Sequence, residues 1–101
     1  AGVFLDDQGE PLGLVRRSVD FPEHWQALEM HHINEAPKEL FTQVRLYLFT
    51  LKSIGFLNMR LENLTLSRTI FEKLVALDSK DRIGAKGLLA LVVNRQEAVI
   101  H

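Results

Sequence analysis

The residues best suited to chemistry gather in one stretch, HWQALEMHHINE (24–35), which holds three of the four histidines together with Glu29 and Glu35. On a helix, His24, Leu28, His31 and Glu35 fall along one stripe, and imidazoles with a carboxylate form a donor set that suits zinc. His24 and His31 lie two turns apart, however, about 10 Å along a helix axis, too far to share one ion without a bend. The i, i+4 histidine pair of an HExxH motif is absent. The expectation is a pair of surface histidines with ordinary hydrogen bonds, and no metal.

The remaining catalytic vocabulary is thin. Glu23, Glu29, Glu35 and Glu39 offer carboxylates, but no motif fixes a second one opposite the first, as paired acid-base work requires. DRIGAKG (81–87) puts glycines and Lys86 at a helix start, yet it lacks the Walker spacing and a preceding strand. The chain contains no cysteine, which removes thiolate nucleophiles, disulfides and Cys-based zinc sites together. The sequence predicts a protein that is not an enzyme and needs no cofactor.

The elements that would position a surface are easier to read. The 101 residues are 47% apolar and 25% charged, ordinary values for a soluble globular chain, and a single domain over 1–101 is expected. VFLDDQGEPLGLV reads as a short β-hairpin over 3–16, with Gly9 in the turn and Pro11 on an edge strand. DFPEHW reads as a helix start, with Asp20 as cap and Pro22 in the first turn. That first helix is expected to run to about Ile33 and to bury Phe21, Trp25, Leu28 and His32. Pro37 to about Leu61 is apolar on nearly every side, which predicts a central helix with neighbours on several faces. A third helix, capped by Asn63, should run to Leu77 and bury Leu64, Ser67, Ile70, Phe71 and Leu74. A fourth should run from about Arg82 to Ala98. The fold class is thus mainly α: a short N-terminal hairpin followed by about four antiparallel helices, the helical stack covering 20–98.

Within this order, Ile54 and Gly55 are followed by Ser67, Phe71 and ALD at 76–78, at spacings that agree without a gap. This stretch, about 50–81, resembles a degenerate tetratricopeptide repeat (TPR), an antiparallel helix pair of about 34 residues. Ile54-Gly55 stands at the Leu-Gly place, Ser67 at the small-residue place and Phe71 at the aromatic place. Asn58, Glu62, Leu74 and Ser79 depart from the Tyr, Gly, Ala and Pro that are usual there. Such arrays ordinarily need three or more repeats, so the flanking helices and the hairpin are expected to act as caps. The resemblance implies a concave groove lined by Phe49, Lys52, Phe56, Met59 and Arg60 of the central helix, with Ile83, Lys86, Ala90 and Asn94 of the last. It also places Lys52 and Lys86 where some relatives hold a terminal carboxylate, but Phe56 and Ala90 occupy the expected asparagine positions. Helix 1, with Trp25, could instead cover the groove.

The function expected is protein-protein interaction, as an adaptor or small chaperone-like scaffold that takes an apolar or amphipathic peptide or helix through Phe49, Lys52, Phe56, Met59 and Lys86. Self-association through the hairpin or the last helix is the structural alternative. A helix-turn-helix nucleic-acid binder over 63–95 is another, resting on Arg68, Lys73, Lys80, Arg82 and Lys86. Asp78 and Asp81 sit among those cations, and the net charge is −1, so nucleic acid is disfavoured. Residues 1–51 carry four Lys/Arg against eight Asp/Glu and residues 52–101 eight against five, an asymmetry that can steer a charged partner. No apolar run approaches the roughly 20 residues of a membrane span, and a cytoplasmic protein is expected.

Overall fold

The computed structural model describes residues 24–100 in backbone and 24–98 in side chains. Those residues form helices and their connections, with no strand among them. The elements are one-turn 3-10 helices at Trp25–Ala27 and Lys38–Leu40, and α-helices α1 (Met30–Asn34), α2 (Phe41–Arg60), α3 (Leu64–Leu77) and α4 (Ala85–Ile100). This corrects the expected fold class: the described chain is helical throughout, and the β component has no counterpart in it. The hairpin assigned to 3–16, and the helix start at Asp20 and Pro22, lie outside the described residues. The described residues divide into two compact units, with the boundary between Thr50 and Leu51 inside α2.

In the first unit, the single helix expected to reach Ile33 is two short pieces. Leu28 and Glu29 are extended, with ψ of 133° and 166°, between the 3-10 turn and α1. A capping box explains the break. The Glu29 carboxylate accepts the backbone N–H of His32, and His32 Nδ1 accepts the backbone N–H of Glu29 at 2.8 Å. Two donors that helix propagation would have used are thereby satisfied at a fresh start. Trp25 and Leu28 are buried, as are Val44, Tyr47 and Leu48 on the first half of α2. His32 is only half-buried.

In the second unit, the C-terminal half of α2, α3 and α4 are joined by two short corners. The α2–α3 corner is a Schellman ending, in which Asn63 N–H donates to the Asn58 carbonyl at 2.8 Å and Glu62 N–H to the Met59 carbonyl at 3.1 Å. That geometry requires a left-handed residue, and Glu62 supplies it at φ 64° where glycine is usual. Asn63 occupies the cap position of α3 but makes no side-chain cap bond; its amide donates to Asn58 Oδ1 at 3.2 Å instead. Past the corner, α3 buries Leu64, Ser67, Ile70, Phe71, Leu74 and Leu77, which includes every position the periodicity assigned to its inner face.

Gly55 sets how closely α2 and α3 approach. A Cβ built there would lie 2.7 Å from Phe71 Cε1 and 3.0 Å from Ile70 Cγ2, so only a residue without a side chain fits. α3 and α4 pack along each other, with Arg68 Nη1 donating to Gln96 Oε1 at 3.1 Å. Arg95 pairs with Glu62 at the α2–α3 corner. α4 begins at Ala85, three residues after its expected start, because Asp78 holds the preceding segment in a loop. One carboxylate oxygen of Asp78 accepts the Arg82 N–H at 3.0 Å and the other the Ile83 N–H at 2.6 Å. Asp81 Oδ1 then accepts the Lys86 N–H in the first turn of α4.

Candidate protein-interaction surface

The five residues expected to line a groove have different fates. Phe49 and Phe56 are 37% and 39% exposed, unusually open for phenylalanine. They are seven residues apart on α2 and so share one face. Met59 is 5% exposed and belongs to the core. Lys52 is half-buried, and its Nζ donates to the Ile83 carbonyl at 2.8 Å, tying α2 to the loop before α4. Lys86 is exposed near the start of α4. The matched Lys52–Lys86 pair therefore splits into a lysine engaged with backbone and one open to solvent. Ile83 is buried, while Ala90 and Asn94 are exposed.

The exposed face of α2 is wider than the sequence indicated. Leu46 and Leu57 are 52% and 45% exposed beside Phe49 and Phe56. Within each unit the exposed pair lies on the side of the helix away from the buried residues: Leu46 and Phe49 away from Val44 and Tyr47, Phe56 and Leu57 away from Leu51 and Gly55. This narrows the expectation that the central helix has neighbours on several faces. Apolar residues all round a helix ordinarily mean burial; here one apolar sector faces the core and another faces solvent. Arg45 in the first unit and Arg60 in the second are also exposed. The available sequence signal was the heptad relation of Phe49 to Phe56 within twenty residues that carry three cations and no acid.

The other constellations do not assemble. The break at Leu28–Glu29 removes the stripe that would have aligned His24, His31 and Glu35. His31 Nδ1 lies 3.3 Å from Glu29 Oε2, and the His31 and His32 rings are 4.0 Å apart. Among the described residues no group of three or more His, Asp or Glu side chains is placed to share an ion. Of the cations considered for nucleic acid, Arg68 is paired with Glu72 and hydrogen-bonded to Gln96. Lys80 and Arg82 are exposed beside Asp81. Among the described residues no helix is long and apolar enough to cross a membrane.

No family model and no solved structure matches this chain. It is similar to an uncharacterized 19.8 kDa protein in the nifW 5′ region of Azotobacter chroococcum mcd 1, with 27% identity over 96 residues covering 88% of this chain. The chain spans about half the length of that curated relative, 54%.

Proposed function

We propose that this chain is a non-catalytic protein-protein interaction module, an adaptor or small chaperone-like scaffold that binds an apolar or amphipathic peptide or helix. The observation that carries the reading is the exposure of Phe56 and Leu57 on α2, on the side of the helix opposite buried Leu51 and Gly55. Large apolar side chains exposed side by side on a helix are usual anchors of a helix or peptide partner. Likeness to a single degenerate TPR pair over about 50–81 belongs to the same proposal. Its support is the close approach at Gly55 against Phe71 and the bond from Ser67 to the Gly55 carbonyl. A cytoplasmic setting is also part of the proposal, and the cysteine-free sequence is compatible with a reducing compartment.

The test is site-specific photocrosslinking in the source cell, with a photoreactive phenylalanine analogue at position 56 and a control at exposed Glu72 on α3. A discrete protein adduct at 56 that is missing at 72 is the expected result. Identical adduct patterns, or none at 56, overturn the reading.

A further inference from the structure

The α3–α4 loop holds its acids and its cations in different states. Asp78 spends both carboxylate oxygens on the backbone N–H groups of Arg82 and Ile83, and Asp81 Oδ1 accepts the Lys86 N–H. Those bonds draw residues 78–86 into one knot. Lys80, Arg82 and Lys86 stand exposed on it, and their side chains make no hydrogen bond or ion pair with a described residue. Lys52 adds a fourth charge: its Nζ donates to the Ile83 carbonyl at 2.8 Å and lies 3.4 Å from where a Cβ on Gly84 would stand. One turn beyond Lys52 on α2 is exposed Phe56. All of these residues belong to the second compact unit.

We infer that this knot is the docking site of an acidic linear segment, whose carboxylates pair with Lys80, Arg82 and Lys86 while an apolar residue beside them rests on Phe56. The inference rests on the interaction reading above and adds the partner's chemistry. Charge selects this occupant: Lys52, Lys80, Arg82 and Lys86 stand against Asp78 and Asp81, a local net of +2, and both acids are already engaged as acceptors. A compact anion such as free phosphate would want the backbone donors at the start of α4. Asp81 holds the Lys86 N–H there, and its charge repels a second anion. Recognition is therefore left to side chains spread along seven residues, which suit several carboxylates better than one point charge. An anionic lipid surface is ordinarily held by clusters of four to eight cations; three are open here, and Lys52 is tied to the Ile83 carbonyl. Nucleic acid demands a longer cationic track, and Asp81 is exposed within this one. A second copy presenting the same loop across a two-fold axis would set cation against cation.

The test uses the full chain and two labelled synthetic peptides of about 12 residues, roughly 40 Å when extended. Both carry a central Phe-Leu pair, surrounded by glutamates in one and by glutamines in the other. Fluorescence anisotropy is expected to show the glutamate peptide binding about tenfold tighter at low salt, the reach of three exposed ion pairs. The difference should shrink as salt screens them. Lys80→Gln, Arg82→Gln and Lys86→Gln combined should erase it, while Phe56→Ser should weaken both peptides. All three cations are exposed, so unchanged circular dichroism of the triple variant is expected. Lys80→Gln alone, at a residue bonded to neither Asp78 nor Asp81, should narrow the difference about twofold and serves if the triple variant loses helicity. Equal affinity for the two peptides, binding of neither, or a difference that the lysine and arginine changes leave intact overturns the inference. So does binding of single-stranded DNA or phosphatidylglycerol vesicles more tightly than the glutamate peptide, or a dimer in sedimentation that the triple variant dissolves. A crosslinked protein at position 56 together with equal peptide affinities defeats this inference alone; absence of that crosslink defeats the interaction reading beneath it.

Discussion

The Ser67 hydroxyl donates to the main-chain carbonyl of Gly55 at 2.7 Å, across the contact between α2 and α3, with Ser67 fully buried. The bond and the missing side chain at Gly55 act together. A glycine lets the second helix approach the backbone of the first, and at that separation a serine is the right length to satisfy a carbonyl turned toward it. Replacing Ser67 by Ala removes the donor without creating bulk. We expect a loss of about 1 kcal/mol, typical of one neutral hydrogen bond, read as a lower urea midpoint at unchanged m-value.

Gly55→Ala and Gly87→Ala should have opposite signs. At Gly55 the new methyl meets Phe71, which is fully buried and has nowhere to go. Overpacking of about 1–3 kcal/mol outweighs the roughly 1 kcal/mol gained in helix propensity. At Gly87 nothing lies within 4 Å of an added Cβ, so the same change should stabilise α4 by about 0.5–1 kcal/mol. Thermal unfolding of the two variants side by side provides the check.

The α3–α4 loop hangs on Asp78. Its two carboxylate oxygens serve two successive backbone donors, and the second belongs to buried Ile83. Asp78→Ala strands the Ile83 N–H in a poorly hydrated place, and a loss of about 2–3 kcal/mol is expected. Asp78→Asn keeps an acceptor and should cost about half as much, at the neutral-bond level. Hydrogen exchange at Ile83 should accelerate in the alanine variant before the helices themselves open.

Glu62 is a left-handed residue with a side chain, at a helix ending that favours glycine. Glu62→Gly relieves a conformational cost of about 1 kcal/mol, and loses only the exposed pair with Arg95, worth about 0–1 kcal/mol. The variant should be as stable as the parent or slightly more so. Added salt should then widen the variant's advantage, because only the parent has the Glu62–Arg95 ion pair to lose to screening.

Phe56→Asp separates surface from core. With 39% exposure, the substitution should cost less than about 1 kcal/mol and leave helicity unchanged, while abolishing partner crosslinking from position 49. Lost folding would place Phe56 in the core and remove the proposed surface.

The helical content and the inner face of α3 were legible because six buried positions between Leu64 and Leu77 recur at helical spacing and Asp78 ends the run. The break at Leu28–Glu29 was not legible. A capping box written Glu–His lacks the Ser/Thr–Glu/Gln signature, so an apparently continuous stripe concealed two helix fragments. Of the five expected site residues, Phe49, Phe56 and Lys86 are exposed, whereas Met59 turned inward and Lys52 was taken up by the Ile83 carbonyl.

By itself, the sequence determined where helices can form and that residues 41–60 carry cations without acids. These are properties of single residues and their spacing along one helix. Which of the two apolar sectors of α2 is core was decided only by the tertiary structure. Periodicity records that a face is apolar, but the side with Gly55 is buried because Ile70 and Phe71 of α3 pack there, and that leaves Phe56 on the exposed side.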